Sequence, residues 1–441
     1  MPLFRLGKAK ISHNKNTAEM KPCRVDTPSK VLIPMSQHIG APAKVCVKVG
    51  DKVSVGTLIG EADGFVSSPV YSSISGVVKK IEKYLLANGK ETDAVLIESD
   101  GEGRVCEGLM PKTVETVEDL QAAARASGVV GLGGAGFPTS VKLSPKNLSE
   151  IDTLILNGAE CEPYITSDTR TMLDESDYLK DGVNLISQVM GIKNTIIGIE
   201  NNKKEAIKHL LGVFADNPSV QIKSLLPRYP QGAEKVLIYN TTGRMVMEGE
   251  LPSSVGVIVM NVTTLVALMK YIRTGMPLCE KCITLDGSAV KEPKNLIVPI
   301  GMSVGDVIAA GGGLKCEAGK ILYGGPMMGV AIYSLDAPIL KNTNAIVVFD
   351  NREAKIAEST ACIHCGRCVA TCPMGLNPTI FSKSLNLSDK SDMAQRLADA
   401  KINLCIECGC CSYVCPAKRP LVENNKLAKS ALRAYNSKSA N

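Results

Sequence analysis

Two groups of four cysteines near the C-terminal end of this sequence limit its possible folds more than any other feature. Both groups have the spacing C-x2-C-x2-C-x3-C-P, and they are Cys362, Cys365, Cys368, Cys372 with Pro373, and Cys405, Cys408, Cys411, Cys415 with Pro416. In this pattern three thiolates bind three irons of a [4Fe–4S] cluster, and the fourth cysteine ligates the other cluster of the pair. The spacing therefore predicts two clusters, the first bound by Cys362, Cys365, Cys368 and Cys415, the second by Cys405, Cys408, Cys411 and Cys372.

Zinc sites and disulfide bonds are the alternative uses of so many cysteines. A zinc site is usually built from paired C-x2-C units, not from two four-cysteine groups that each end before a proline. The chain has 16 cysteines, but its first residues, MPLFRLGKAK, lack the apolar run of a secretory signal. In a reducing compartment, clustered cysteines are more often metal ligands than disulfides. We therefore predict a cytoplasmic protein with iron–sulfur ligands.

Composition and hydropathy argue against two classes of function. The sequence has no Trp, 4% aromatic residues and a net charge of only +6, which does not suit a stacking or basic surface for nucleic acid. The best candidate for a membrane helix, residues 255–269, is shorter than the about 20 apolar residues that a span needs, and it contains Asn261. Any membrane contact would therefore go through a partner or the protein surface.

The 441 residues predict a multidomain α/β protein. Residues 1–110 hold short Val-rich runs broken by glycines, which indicates a barrel-sandwich hybrid. Residues 61–75 contain no lysine, so we expect a structural or docking role for this domain and not that of a swinging carrier arm. Residues 111–255 alternate helices and strands and predict a Rossmann-like domain with a mostly parallel sheet. The remaining regions are a β-grasp module (256–350), a helical two-cluster ferredoxin-like domain (351–425) and a polar tail (426–441). We expect the last twenty residues, which are polar, to be frayed.

A glycine-rich loop and a strand end form the second candidate site. The loop GLGGAGFPTSVK contains G-x-G-x-x-G at Gly131, Gly133 and Gly136, with Lys142 one helical turn beyond Pro138. Such glycines let the backbone approach a phosphate or a flat ring, and a helix N-terminus adds N–H donors. About 20 residues later a buried strand ends in Asn157, Glu160 and Glu162, at the edge where open α/β sheets bind ligands. An ordinary glycine-rich turn beside surface acids remains the alternative.

These motifs resemble the flavin- and NADH-binding subunit of respiratory complex I. The matching segments are GxGGAGFPTxxK, NxxExEP, GAEK (232–235) and MNVTTL (260–265). The resemblance implies an FMN site formed by Gly131, Gly133, Gly134, Gly136, Lys142, Asn157, Asn261 and Thr264. It also implies that Phe137, Glu162 and Glu234 lie near the nicotinamide nucleotide, with Glu160 and Gly232 belonging to the same cofactor-binding loops. Leu132 stands where the complex I loop carries an arginine, so at least one phosphate or nucleotide contact must differ.

The complete domain order resembles that of the RnfC family, one of the component families of the Rnf electron-transport complexes. That resemblance implies a peripheral subunit on the cytoplasmic face of the cell membrane, with integral membrane subunits, an iron–sulfur subunit and ferredoxin as partners. It further implies electron exchange between NAD(H) and ferredoxin through FMN and two [4Fe–4S] clusters, coupled by the whole complex to Na⁺ or H⁺ transport. Hydride transfer is then cofactor chemistry, and no side chain is assigned as a catalytic acid or base.

Two other functions remain open from the sequence. The first is a soluble flavin and iron–sulfur reductase that serves a cobalamin enzyme or an amino-acid reductase. In the cobalamin-reductase relatives the barrel-sandwich segment tends to come last, whereas here it comes first. The second is an electron-transfer adaptor whose α/β domain has lost its flavin, against which the intact glycine loop with Lys142 and Asn157 argues.

Overall fold

The computed structural model describes residues 9–439. Residues 1–8 and the last two residues of the predicted tail lie outside the described residues. The N-terminal segment on which the prediction about a secretory signal rests therefore falls mostly outside them. In the part of the chain that the structure describes, no helix is both long enough and apolar enough to cross a membrane.

The N-terminal domain is built from two small sheets that face each other across an apolar core. The first strand of the chain, β1 (Cys23–Arg24), belongs to another sheet. The strands of this domain are β2 (Lys30–Pro34), β3 (Lys44–Val45), β4 (Lys52–Val53), β5 (Leu58–Glu61), β6 (Val70–Tyr71), β7 (Gly76–Leu85) and β8 (Glu91–Ser99). One sheet has the order β2-β8-β7-β4 and the other β3-β5-β6. Alternate residues of the strands point inward, so that Ile33, Ile59, Val78 and Ile97 are buried in one cluster. This arrangement is the predicted barrel sandwich.

The α/β domain has a four-stranded sheet with the order β11-β10-β9-β12, in which every strand pair is parallel. Its elements are α1 (Val117–Ala126), α2 (Thr139–Lys142), β9 (Thr153–Gly158), α3 (Ser167–Asp174), α4 (Ser176–Met190), β10 (Asn194–Glu200), α5 (Lys204–Val213), β11 (Val220–Leu225), α6 (Glu234–Thr242), β12 (Val257–Asn261) and α7 (Val262–Thr274). The apolar run 255–269 is therefore a buried strand that continues into a helix. Helices α3 and α4 are separated at Glu175, which leaves the helical conformation with φ −128°.

The third sheet has six strands with the order β1-β14-β13-β17-β15-β16. Its elements are β13 (Glu280–Asp286), β14 (Lys294–Pro299), α8 (Val304–Ala310), β15 (Ala318–Tyr323), β16 (Val330–Ala331) and β17 (Ala345–Asp350). The edge strand β1 comes from the N-terminal end of the chain, and its Cys23 and Arg24 pair with Leu296 and Ile297 of β14. A segment that precedes the barrel sandwich in sequence is thus part of the β-grasp sheet in space.

The C-terminal domain is a set of short helices around the two cysteine groups. The helices are α9 (Arg367–Thr371), α10 (Pro378–Ser384), α11 (Lys390–Asp399), α12 (Cys410–Tyr413) and α13 (Leu421–Ser439). The expectation of a frayed tail is wrong, because α13 runs through it and buries Ala428 and Leu432 against Phe381 and Leu397. One buried stripe runs along α13 at helical spacing and consists of Leu421, Asn425, Ala428 and Leu432. The mean hydropathy of the segment does not reveal this stripe, because most of the other residues are polar.

Two buried lysines join three of these domains beneath the glycine loop. Lys341 Nζ donates hydrogen bonds to Pro69 O at 2.5 Å and to Gly128 O at 2.7 Å. Lys281 Nζ donates to Leu132 O at 2.6 Å and to Lys341 O at 3.0 Å. Burial lowers the pKa of each lysine to about 7. The hydrogen-bond acceptors are neutral oxygens, so each lysine amine is held by dipoles and not by a hydrogen-bonded carboxylate, and Asp168 acts on Lys281 only through its charge.

The lowered pKa values predict how stability depends on pH. Because the ordinary lysine pKa is 10.5 and the folded value for Lys341 is about 7, the unfolded chain binds more protons between these two pH values. The free energy of unfolding therefore rises with pH across that window. We expect urea titrations at pH 7, 8 and 9 to give a rising midpoint, with a shallower rise in Lys341→Met. The exposed Lys52→Met is the control, and equal slopes in all three proteins would contradict the prediction.

Candidate cofactor sites

The carboxyl ends of β9 and β12 lie side by side and place two asparagines at one edge of the sheet. Asn157 and Asn261 are partners in the parallel register of the two strands. Asn157 Nδ2 donates to Gly232 O at 2.9 Å, so it fixes the loop before α6. Asn261 begins α7, and its Oδ1 accepts from Thr264 N at 3.1 Å, as an N-cap does. This edge is where open α/β sheets bind their ligands.

The glycine loop lies over this edge and is fitted closely to it. Leu132 N donates to Thr264 Oγ1 at 2.9 Å, which ties the loop to the start of α7. A Cβ atom on Gly133 would come within 2.4 Å of Asn261 Nδ2, so only glycine fits there. Gly136 has φ +71°, a conformation that favours glycine. The backbone of residues 133–135 is exposed between these fixed points and can approach a ligand.

Lys142 and Glu234 face each other across the opening beside the loop. Lys142 Nζ lies 3.0 Å from Glu234 Oε1, and the two side chains are 30% and 41% exposed. Lys142 ends the short helix that follows the loop, and Glu234 begins α6. Gly232 packs against the end of β9, where an added Cβ would lie 2.6 Å from Ala159 O. The structure therefore brings together the glycine loop, both asparagines, Thr264, Lys142, Gly232 and Glu234.

Of the two acids after β9, Glu160 lies in the interior and Glu162 is half-buried. Glu160 is 6% exposed and accepts from Asp168 N at 2.7 Å and Thr169 Oγ1 at 2.8 Å. Burial raises its pKa to about 7. Glu162 accepts from the backbone N–H groups of residues 327–328 at 3.1 Å and 2.7 Å. Both carboxylates already have protein partners, and their contacts with a nucleotide, like that of the half-buried Phe137, stay predictions.

Asp168 and Lys15 are site residues that the sequence patterns did not identify. Asp168 accepts from Asn261 Nδ2 at 2.7 Å and from Thr263 Oγ1 at 2.6 Å, so it holds the asparagine that touches the loop. Lys15 Nζ donates to the backbone carbonyls of Glu160 and Glu162, both at 2.8 Å. Burial lowers the pKa of Lys15 to about 8. No sequence motif marks either residue, because each acts through a contact made far away in the chain.

The residues present fit FMN. A phosphate needs backbone N–H groups and a cation, and the exposed backbone of residues 133–135 with Lys142 supplies both. A flat ring needs close access to the backbone, and no atom lies within 4 Å of the position of a Cβ on Gly134. FMN bound here would rest on the loop, with Asn157, Asn261 and Thr264 holding the loop and the strand ends in place.

The eight predicted cluster ligands surround two separate cavities. Cys362, Cys365, Cys368 and Cys415 line the first cavity together with Pro416. Cys372, Cys405, Cys408 and Cys411 line the second together with Pro373. The structure thus brings together the two cross-linked sets that the spacing predicts, here named the first and second thiol sets. Within residues 9–439, no three His, Cys, Asp or Glu side chains converge on one point that a single metal ion could occupy.

The two thiol sets differ in their surroundings. The second set lies against the α/β domain, where Tyr229, 1% exposed, packs with Cys408 and Cys410. Cys410 is off the ligand spacing, and its thiol faces Tyr229 O at 3.9 Å. The first set is close to solvent, since Cys365 is exposed and the neighbouring Ile363 is 66% exposed. One set is therefore on the inner side of the domain and the other on its outer side.

Cross-ligation can be tested with cysteine variants and an iron assay on anaerobically prepared protein. Two cubanes hold about eight irons, and Cys415→Ala should lose about four of them. The cluster lost should be the first one, although Cys415 belongs to the second sequence motif. The double variant Cys362→Ala/Cys415→Ala should lose no more iron, because both residues line the first cavity. The double variant Cys405→Ala/Cys415→Ala should lose nearly all.

The control is Cys410→Ala, which removes the one cysteine within the second motif that is off the spacing and should keep both clusters. Ligation within each motif would give the reverse, with nearly all iron lost in Cys362→Ala/Cys415→Ala and about half in Cys405→Ala/Cys415→Ala, and that result would contradict cross-ligation.

Models of four protein domains match the chain in sequence order. They are the RnfC Barrel sandwich hybrid domain at residues 4–102, the Nuo51 FMN-binding domain at 124–270, the SLBB domain at 282–331 and the 4Fe-4S dicluster domain at 358–419. These matches confirm the predicted fold class and the predicted cofactors, FMN and two [4Fe–4S] clusters. The domain bounds given from the sequence and the individual ligand residues stay predictions.

Similar proteins from three bacteria are components of named oxidoreductase complexes. The chain is 42% identical to the C component of the proton-translocating ferredoxin:NAD(+) oxidoreductase complex of Clostridium ljungdahlii, over 86% of this chain and 83% of that one. It is 41% identical to the C component of the Na(+)-translocating ferredoxin:NAD(+) oxidoreductase complex of Acetobacterium woodii, over 86% of each. With the C component of the ion-translocating oxidoreductase complex of Rhodobacter capsulatus it shares 36% identity, over 87% of this chain and 75% of that one.

A more distant likeness links the chain to a chain of an NAD+-reducing [NiFe]-hydrogenase, with 19% identity and a TM-score of 0.49 over 72% of this chain and 62% of that one. The three bacterial relatives, by contrast, are similar over most of their length, and their names place them in multi-subunit complexes. The chain belongs to the RnfC family, whose members are the C components of the ion-translocating ferredoxin:NAD(+) oxidoreductase complexes.

Proposed function

We propose that this chain is the NAD(H)-linked electron-transfer subunit of a membrane-bound complex that moves electrons between NAD(H) and ferredoxin. The whole complex would couple this transfer to the transport of Na⁺ or H⁺. The observation that carries the proposal is that one chain contains both a candidate flavin site and a candidate cluster site, packed against each other. The glycine loop and strand-end asparagines form a flavin cradle, and the second thiol set packs against the same domain through Tyr229.

The protein's task in this reaction is to hold its cofactors and the nucleotide in position. When bound, FMN would accept hydride from NADH and release electrons singly, and the two clusters would carry single electrons. Lys142 and the backbone of residues 133–135 would hold the FMN phosphate. Lys142 would then leave its ion pair with Glu234, and the Glu234 carboxylate beside the nucleotide would be free. No side chain has to act as an acid or a base.

The contact between the α/β domain and the second thiol set is largely buried. Tyr229, Cys161, Met327 and Cys410 pack together at this contact. Glu162 holds it from the side of the sheet, because its carboxylate accepts from the N–H groups of residues 327–328, and a Cβ on Gly409 would lie 2.7 Å from Met327 O. A buried contact of this kind supports electron transfer because little solvent has to reorganise.

The first thiol set is proposed as the contact for the next protein in the chain of electron carriers. Cys365 and Ile363 are exposed there, and Arg367 and Arg419 line the same cavity. Exposed apolar and basic groups around a redox centre suit a partner with an acidic surface. We infer that this partner is an iron–sulfur subunit of the same complex, that integral membrane subunits anchor the assembly, and that the chain lies on the cytoplasmic face.

An anaerobic visible spectrum of the purified chain, with flavin and iron assays, tests the proposal. We expect about one FMN and about eight irons per chain, with bleaching of both chromophores when NADH is added. Iron without flavin, and no response to NADH, would support the adaptor function instead. Purification from membranes in company with integral membrane subunits separates the proposed complex from a soluble reductase.

The flavin cradle itself can be tested with an alanine at Gly134. No protein atom lies within 4 Å of the Cβ that this change adds, so the fold should tolerate it, whereas a flavin resting on the loop would collide with it. We expect Gly134→Ala to weaken FMN binding at least about tenfold, or about 1.4 kcal/mol, with the thermal midpoint of the flavin-free protein unchanged. Gly212→Ala, on the outer side of α5 and equally open, is the matched control. Unchanged FMN affinity in Gly134→Ala would place the flavin elsewhere.

A further inference from the structure

The buried stripe of α13 contains one polar residue, Asn425, and it faces the second thiol set. The side chain is 1% exposed. Its Nδ2 atom lies 3.5 Å from Cys405 Sγ and 4.0 Å from Cys411 Sγ. The 3.5 Å distance is normal for an N–H···S hydrogen bond, because sulfur is larger than oxygen, and the 4.0 Å distance is a longer, weaker contact. One amide group therefore donates toward two sulfurs that line the same cavity.

The amide oxygen of Asn425 explains why the N–H groups and not the oxygen face the sulfurs. Asn425 Oδ1 is buried and has no hydrogen-bond partner, which is unfavourable for stability. Rotating the amide would turn that oxygen toward Cys405 and Cys411, whose sulfurs, as thiolates of a bound cluster, would be acceptors and would repel it. The sulfurs thus fix the amide with its N–H groups toward them, and the oxygen is left without a donor.

The rest of α13 keeps the amide in place. Leu421, Ala428 and Leu432 on the same face are 2%, 0% and 3% exposed, so the helix cannot rotate about its axis without exposing them. One turn beyond Asn425, Lys429 Nζ donates to Cys405 O at 2.6 Å and to Glu407 Oε1 at 2.8 Å. The helix is therefore fastened to the loop that carries Cys405 by a second polar contact.

We propose that Asn425 is a positioning residue that raises the reduction potential of the second cluster. The inference rests on the proposed function, because it requires a cluster bound by Cys372, Cys405, Cys408 and Cys411. Reduction adds one electron, and part of the added charge falls on the cysteine sulfurs, where N–H donors stabilise it. Hydrogen bonds to the sulfurs are one of the means by which a protein sets the potential of such a cluster. No bond is formed or broken.

A redox titration followed by electron paramagnetic resonance tests the role of Asn425 in the full chain with both clusters loaded. Asn425→Leu keeps the branched shape and removes both the donors and the unpartnered oxygen. We expect one of the two midpoints to fall so that the ratio of oxidised to reduced cluster changes about tenfold, which is about 59 mV for one electron. The signal that moves should be the one that Cys405→Ala abolishes.

Asn424→Leu is the matched control, since the neighbouring asparagine donates to Ser382 Oγ at 3.1 Å and not to a thiol. Both of its midpoints should equal those of the unsubstituted chain. A fully loaded Asn425→Leu protein with unchanged midpoints would overturn the inference. Absence of iron from the unsubstituted chain would instead overturn the proposed function.

A measurement on the unsubstituted chain covers the case in which Asn425→Leu loses its second cluster. Pulsed paramagnetic resonance of the reduced second cluster, with ¹⁵N in the asparagine side-chain amides, should detect a coupled amide nitrogen. The coupling should remain in Asn424→Leu, whose Asn425 is intact. No coupling in the loaded protein would overturn the inference whatever the variants do.

Discussion

The position of the glycine loop depends on two ammonium groups buried beneath it. Lys281 holds the carbonyl of Leu132 within the loop, and Lys341 holds the carbonyl of Gly128 just before it. Lys281 comes from a strand of the β-grasp sheet, and Lys341 also reaches Pro69 of the barrel sandwich. Burying two cations without carboxylate partners is unfavourable unless every donor is satisfied. The hydrogen bonds of these two lysines therefore tie the glycine loop to the barrel sandwich and to the β-grasp sheet, and the lowered pKa values reflect the cost of burying them.

The second set of contacts on which the chemistry depends is the seam between the α/β domain and the second thiol set. Tyr229 and Cys410 meet there in a buried apolar contact, while Glu162 fixes the loop that lies against Gly409. On the far side of the same thiols, Asn425 presents its amide to sulfur. The second set is therefore enclosed on both sides by groups that cannot move independently, whereas the first set has Cys365 in solvent. This difference in enclosure distinguishes an internal relay from a contact with a partner.

Spacing and strand order made most of the architecture predictable from the sequence. The cysteine spacing paired Cys415 with the first group and Cys372 with the second. In the structure these two cysteines line the cavities of those groups. The glycine pattern and the strand-end asparagines likewise converge at one sheet edge. These signals are local and periodic, so one segment at a time reveals them.

What the sequence did not reveal depends on distant contacts. The sequence makes Glu160 a candidate site residue, but its carboxylate accepts from Asp168 N and Thr169 Oγ1, and Lys15, 145 residues away in sequence, donates to its carbonyl. The tail looked frayed because its mean composition is polar, whereas stability comes from one stripe of side chains that meets Phe381 and Leu397. Asp168 carries no motif at all, and its role follows only from its hydrogen bonds to Asn261 and Thr263.

The pairing of β1 with β14 has a consequence for how such a protein could be taken apart or recombined. In sequence the barrel sandwich looks like a cassette that could be exchanged between relatives. In space the chain first contributes an edge strand to the β-grasp sheet and only then builds the sandwich. A cut between β1 and β2 would leave that edge unpaired, and a cut after β8 would separate a sheet from one of its own strands. The domains are separate segments in the sequence, but the physical unit of exchange is the N-terminal half of the chain together with the β-grasp sheet that its first strand joins.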